Sequence, residues 1–153
     1  LAYGKKLSPL FGARPELVEI AALSHDLGAI MDYSTLAQHH NTGAEITVDF
    51  LEGRIPGADI AVISDAIRNH NQPVLTGSPE AMALSHADAL SKFDSPVYWI
   101  SYAWKRRFDS FGESVTWYEG LLEKTYDMML PEARAFIEEK YESIKAMLAS
   151  MKE

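Results

Sequence analysis

The 153-residue chain carries 47% hydrophobic and 24% charged residues, the balance of a soluble globular protein long enough for one domain with a buried core. A net charge of −8 and a pI near 5.1 argue against duplex nucleic acid as an obligate partner, since neutralising phosphates needs a broad basic face; a small anionic substrate stays open where a metal or local cations supply charge. Without cysteine, disulfides and thiolate ligands are excluded, so a metal site must use imidazole nitrogen and carboxylate oxygen, which suits iron, manganese, cobalt, nickel, magnesium or zinc.

No sustained period-two alternation occurs, whereas helix punctuation recurs throughout, and the expected fold class is an all-α, single-domain helical bundle over residues 1–153. Residues 1–10 read as the end of a helix, with Phe11-Gly12-Ala13-Arg14 as a connection. Pro15 stands at a first helical position, with Glu16 in the first turn and Leu17, Val18, Ile20, Ala21 and Leu23 apolar; this helix is expected to end near Gly28. A looser stretch over 29–38 leads to a helix of about ten residues that carries Ile46, Val48, Phe50 and Leu51 and stops at Gly53. After the Pro56-Gly57 turn, Ile60, Ile63, Ala66 and Ile67 recur at helical spacing up to His70, and Asn71-Gln72-Pro73 breaks the pattern. Ser78-Pro79-Glu80 starts a helix expected to reach Phe93. Ser95-Pro96 opens an aromatic helix through Tyr98, Trp99, Tyr102 and Trp104. Gly112-Glu113-Ser114 and Pro131-Glu132 begin two more, the last with a fraying, charged tail. The expected division is a core over about 14–94 and an aromatic helical extension over about 95–153.

No apolar run reaches the roughly 20 residues of a membrane span, and no charged-then-apolar leader opens the chain, which points to the cytoplasm. The chain opens at Leu1 without a methionine and partway through a helix, from which loss of some N-terminal sequence is expected.

The five histidines, His25, His39, His40, His70 and His86, all lie in the middle of the chain. His25-Asp26 sits in Ala21-Ala22-Leu23-Ser24-His25-Asp26-Leu27-Gly28, where the small and apolar neighbours place both polar side chains near the core and an unpaired carboxylate would be costly. Alone, a hydrogen-bonded histidine and a turn-capping aspartate explain the pair. His39-His40 precedes a helix whose early Gly43 permits close backbone approach; one imidazole can face inward and the other water. His70 closes an apolar helix, where a histidine can instead serve only the helix dipole, worth about 0.3–1 kcal/mol. Arg68 beside it is a surface cation or a phosphate contact. Asp88, on a helix of alanine and leucine, needs a partner. His86, two residues earlier, points elsewhere, so Asp88 is the candidate ligand and His86 a neighbour of the site or a surface group.

The order and context of these pieces resemble the HD superfamily of metal-dependent phosphohydrolases. They are Ala22-Leu23-Ser24-His25-Asp26-Leu27-Gly28, His39 four residues before Gly43-Ala44, Ile67-Arg68-Asn69-His70, and Ala87-Asp88-Ala89. Each is weak alone; together they span most of the first two thirds of the chain. The resemblance implies one or two divalent ions, with His25, Asp26 and Asp88 on the first, His39 and His70 completing a second, and Asp26 bridging as the catalytic carboxylate. It favours His39 over His40 by its distance from the glycine. Two departures stand out. The family's first histidine, on the helix before His25-Asp26, is missing from residues 1–24 and would fall just before Leu1. Many members carry lysine after the glycine, where this chain has Ala29.

The expected activity is hydrolysis of a phosphate ester or anhydride of a small molecule, a nucleotide first, by metal-activated water. Trp99, Tyr102, Trp104, Trp117 and Tyr118 could stack a base, although such aromatics more often pack helices or bury an oligomer contact, and a homo-oligomer stays open. Lys105-Arg106-Arg107 reads as a solvated helix end rather than an anion site. Two alternatives keep the fold: a catalytically degenerate module acting as ligand sensor or scaffold, for which the sequence before Leu1 is the discriminator, and a di-iron oxygenase, which metal analysis and oxygen consumption would separate.

Overall fold

The computed structural model describes residues 1–71 and 73–151, and among these it contains helices and no strand. Gln72, part of the expected break at Asn71-Gln72-Pro73, and Lys152 and Glu153 of the expected tail lie outside the described residues. In chain order the helices are α1 (Ala2–Phe11), α2 (Pro15–Ser24), α3 (Leu27–Met31), a 3₁₀ segment (Tyr33–Gln38), α4 (His39–Leu51), α5 (Gly57–Arg68), α6 (Pro79–Ser91), α7 (Pro96–Arg106), α8 (Phe111–Met128), α9 (Pro131–Arg134) and α10 (Glu138–Ser150). Among the described residues no helix is long and apolar enough to cross a membrane.

The punctuation has direct physical counterparts. Gly12 closes α1 at φ 69°, a left-handed conformation that costs a glycine nothing. Pro15 and Pro96 take first helical positions, where the missing N–H is no loss. Ser78 Oγ accepts from the Ala81 N–H (3.2 Å) at the start of α6, and Ser110 with Glu113 forms the equivalent cap of α8.

Contacts divide the chain into two compact units, Leu1–Asp88 and Ala89–Glu153, the division falling within α6. In the first, α2, α4 and α5 pack on one another around Leu17, Ala21, Ala44, Leu51, Ile63, Ala66, Ile67, Ala81 and Leu84. Each fully buried Leu or Ile contributes about 1.5–3 kcal/mol. Arg14 ties three helix starts together, its Nη1 donating to Asp59 (2.7 Å) and its main-chain N–H to the buried Glu80 (3.2 Å).

In the second unit α8 packs on α7 and α10. Tyr118 is buried and its hydroxyl donates to the Lys92 carbonyl (2.8 Å), so this ring is structural and unavailable to a base. Tyr126 stacks on Tyr141 (centroids 4.2 Å, 14°), and Arg107 lies over the Tyr102 and Trp117 rings at 5.8 and 5.2 Å, so one cation of the Lys105-Arg106-Arg107 run is held by aromatic faces. Pro131 does start a helix, but one of four residues; the chain turns helical again only at Glu138.

Candidate metal centre

The main departure from the expected helices occurs at the candidate site residues His25 and Asp26. The helix begun at Pro15 ends at Ser24 rather than near Gly28. In a continuing helix the Ala22 carbonyl would take the Asp26 N–H; here it accepts from His25 Nδ1 at 2.9 Å, and the backbone leaves the helix at Asp26 (φ −97°, ψ 5°) before restarting as α3. His25 and Asp26 are thus the link between α2 and α3.

Two glycines press that link against α4. A Cβ on Gly28 would lie 2.6 Å from the His39 carbonyl oxygen and 3.0 Å from the Gly43 nitrogen, and a Cβ on Gly43 would lie 2.8 Å from the His25 carbonyl oxygen. Main chain therefore meets main chain, and His39, the first residue of α4, is delivered beside His25 and Asp26. The looser stretch expected over 29–38 consists of the end of α3 and the 3₁₀ segment, whose Leu36 carbonyl orients His39. His70 arrives from just beyond the end of α5, and Asp88 from α6.

All five candidate residues belong to the first unit and come together. Asp26 Oδ2 lies 3.3 Å from His25 Nε2; its Oδ1 lies 3.4 Å from His39 Nε2 and 3.9 Å from His70 Nε2. Asp88 Oδ1 is 3.7 Å from His25 Nε2. The rings stand edge to face, with centroids of His25 and His70 4.7 Å apart and of His39 and His70 5.0 Å apart. The side chain of His70 is 2% exposed and that of Asp26 50%, so the cluster has a buried floor and an accessible carboxylate.

The three imidazoles are held alike. Each Nδ1 contacts the main-chain carbonyl three residues earlier: His25 to Ala22 (2.9 Å), His39 to Leu36 (2.7 Å) and His70 to Ile67 (2.6 Å). A carbonyl only accepts, so Nδ1 carries the hydrogen and Nε2 of the neutral ring carries a lone pair. Burial works against charge on His25, but hydrogen bonds and attraction to Asp26 and Asp88 outweigh it and raise its pKa to about 10. His70 behaves oppositely: burial dominates, the charges of His25 and His39 add to it, and the pKa falls to about 4. The hydrogen bond from His25 lowers the pKa of Asp26, which is a carboxylate at neutral pH.

Two Nε2 atoms, of His39 and His70, stand 3.1 Å apart with a carboxylate oxygen beside both. Lone pairs so arranged repel unless an electron-pair acceptor, a proton or a cation, lies among them. Ligand atoms bound to one ion at about 2.1 Å and about 90–110° apart are about 3.0–3.4 Å from each other. The separations of 3.1, 3.3 and 3.4 Å lie in that range. His25, Asp26 and His70 each offer a ligand atom within 4.8 Å of the others. The donor set, imidazole and carboxylate alone, fits a divalent cation.

The other singled-out residues lie differently. His40 is turned from the cluster, its Nδ1 accepting from Asn71 Nδ2 at 2.7 Å. His86 is fully buried, with Nδ1 on the Met82 carbonyl and its ring against Phe11, which removes the surface reading of that residue. Arg68 is exposed in the last turn of α5. The orienting carbonyls of Ala22, Leu36 and Ile67 were not legible in the sequence, since carbonyls carry no residue signature, and Asn71, the partner of His40, reads there only as a helix breaker.

A family model described as HD domain matches residues 1–92, about three-fifths of the chain and inclusive of all five clustered residues. No curated protein and no solved structure matches the chain.

Proposed function

The chain belongs to the HD-domain family, and on that premise we propose that it is a metal-dependent phosphohydrolase acting on a small phosphate ester or anhydride, a nucleotide in the first instance, with His25, Asp26, His39, His70 and Asp88 as its metal ligands. The observation that carries the proposal is the convergence of three Nε2 atoms, each fixed through Nδ1 to a main-chain carbonyl, on the carboxylate of Asp26. Support for two ions comes from the way Asp26 is shared: Oδ2 faces His25, which Asp88 also approaches, whereas Oδ1 faces His39 and His70.

A divalent ion held there supplies Lewis acidity, bringing the pKa of water toward neutrality and offsetting charge on phosphoryl oxygens. The protein's residues supply position. The Ala22, Leu36 and Ile67 carbonyls hold each ring by Nδ1 with Nε2 turned toward Asp26, so no ring has to turn when a ligand arrives. Asp26, the most exposed member and an anion at neutral pH, accepts a hydrogen bond from an incoming water and orients its oxygen toward phosphorus. Buried His70 closes the floor of the site against bulk water.

The test is a screen of the metal-reconstituted protein against nucleoside mono-, di- and triphosphates, dinucleotides and cyclic nucleotides, with Asp26→Ala as control. Turnover of one class by the wild type and its loss in the variant is the expected outcome. Metal uptake without turnover of any class would instead favour a ligand sensor or scaffold, and metal-dependent oxygen consumption would favour the di-iron oxygenase.

A further inference from the structure

His39 and His70 form one pair across the gap between α4 and the end of α5, and their immediate successors form another. His39 Nε2 lies 3.1 Å from His70 Nε2, and Asn71 Nδ2 lies 2.7 Å from His40 Nδ1. The pairs differ in sign. With no proton or cation between them the inner pair sets two lone pairs against each other and tends to drive the segments apart, whereas the outer one is a donor meeting an acceptor and draws them together. Asn71 Nδ2 can only donate, so His40 Nδ1 must accept and its hydrogen resides on Nε2.

The segment carrying His70 needs such a tie. The last turn of α5 closes at Asn69, whose main-chain N–H reaches the Asp65 carbonyl at 3.1 Å, and His70 itself is anchored to Ile67 by its ring. Across the gap, His39 and His40 are the first two residues of α4, about 100° apart around its axis, so one ring can face Asp26 while the other faces Asn71. Their rings are edge to face at 5.8 Å, so a change in the placement of His40 is passed directly to His39.

We propose that the His40–Asn71 hydrogen bond is a clamp that sets the separation of His39 and His70, making His40 and Asn71 positioning residues for the second ion. This rests on the reading of the cluster as a metal site. Neither residue is a ligand; together they preorganise the two imidazoles, so that less of the binding energy goes into holding their two Nε2 lone pairs close. Partners that orient metal ligands in this way are worth about 10- to 100-fold in metal affinity.

The test uses the full chain and cobalt(II) alone, whose d–d absorption reports coordination while calorimetry gives affinity and stoichiometry for wild type, His40→Ala, Asn71→Leu and the double variant. The clamp requires that each single variant bind the more weakly held cobalt about 10- to 100-fold less tightly. The double variant should then lose no more than either single one, because one bond is removed in all three. Both side chains reach solvent, so the helical circular dichroism of the metal-free variants should match wild type, and His40→Ala stands in if Asn71→Leu does not fold. Undiminished affinity in the single variants with normal wild-type uptake overturns the clamp alone, as do fully additive losses. A wild type that binds no cobalt overturns the metal site and the clamp with it.

Discussion

Replacing Gly28 by alanine perturbs the apposition on which the proposed metal centre rests. The new Cβ would lie 2.6 Å from the His39 carbonyl oxygen, 3.0 Å from the Gly43 nitrogen and 3.1 Å from the His39 Cα, all main-chain atoms that no rotamer change can move. Ordinary carbon–oxygen approaches begin at about 3.3 Å. The α2–α3 link and the start of α4 must therefore part by about 0.7 Å, several times the roughly 0.2 Å tolerance of metal–ligand distances. Overpacking of this kind costs about 1–3 kcal/mol, which at this chain length lowers the melting temperature by about 2–12 °C. Metal affinity should fall more than stability does, because His25 and Asp26 move as one body away from His39. Cobalt titration and thermal melting of the metal-free protein would read the two effects separately. A Gly28→Ala protein with wild-type affinity and a melting point within about a degree would refute the claim that this contact sets the ligand spacing.

A control for that experiment is Gly120→Ala in the exposed middle of α8, where a Cβ meets nothing within 4 Å. It should raise stability by about 0.4–1 kcal/mol in a melting experiment and leave metal binding untouched, since only the unfolded chain loses freedom. At saturating metal, His39→Ala and His70→Ala should each lose about one ion by elemental analysis, whereas His40→Ala should keep wild-type stoichiometry and differ only in affinity. Equal stoichiometry in all three would return His39 and His70 to hydrogen-bonding roles at helix ends.

Much of the fold is legible in the sequence because its helix starts rest on local chemistry. Pro15, Pro79 and Pro96 need only their own ring geometry to mark first turns, and Gly12 only its freedom at positive φ. The early break of the helix begun at Pro15 was not legible. It arises when the His25 ring takes a carbonyl that a continuing helix would use, and a side-chain bond of that kind leaves no trace in apolar periodicity. His86 shows the converse limit: spacing separates it from Asp88, but burial against Phe11 is a tertiary fact. In the site, Gly43 carried a signal of close backbone approach, and its neighbour proves to be the His25 carbonyl. Asn71 carried none, because its partner lies 31 residues away.

The five clustered residues are proposed to hold metal, and the Asp26 carboxylate faces all three imidazoles. Its removal should therefore affect both ions at once. The measurement is elemental analysis of wild type and Asp26→Ala after identical reconstitution and desalting, with circular dichroism to show that the helices persist. One or two ions per chain in the wild type and close to none in Asp26→Ala is the result this account requires. The same metal content in both proteins would contradict it.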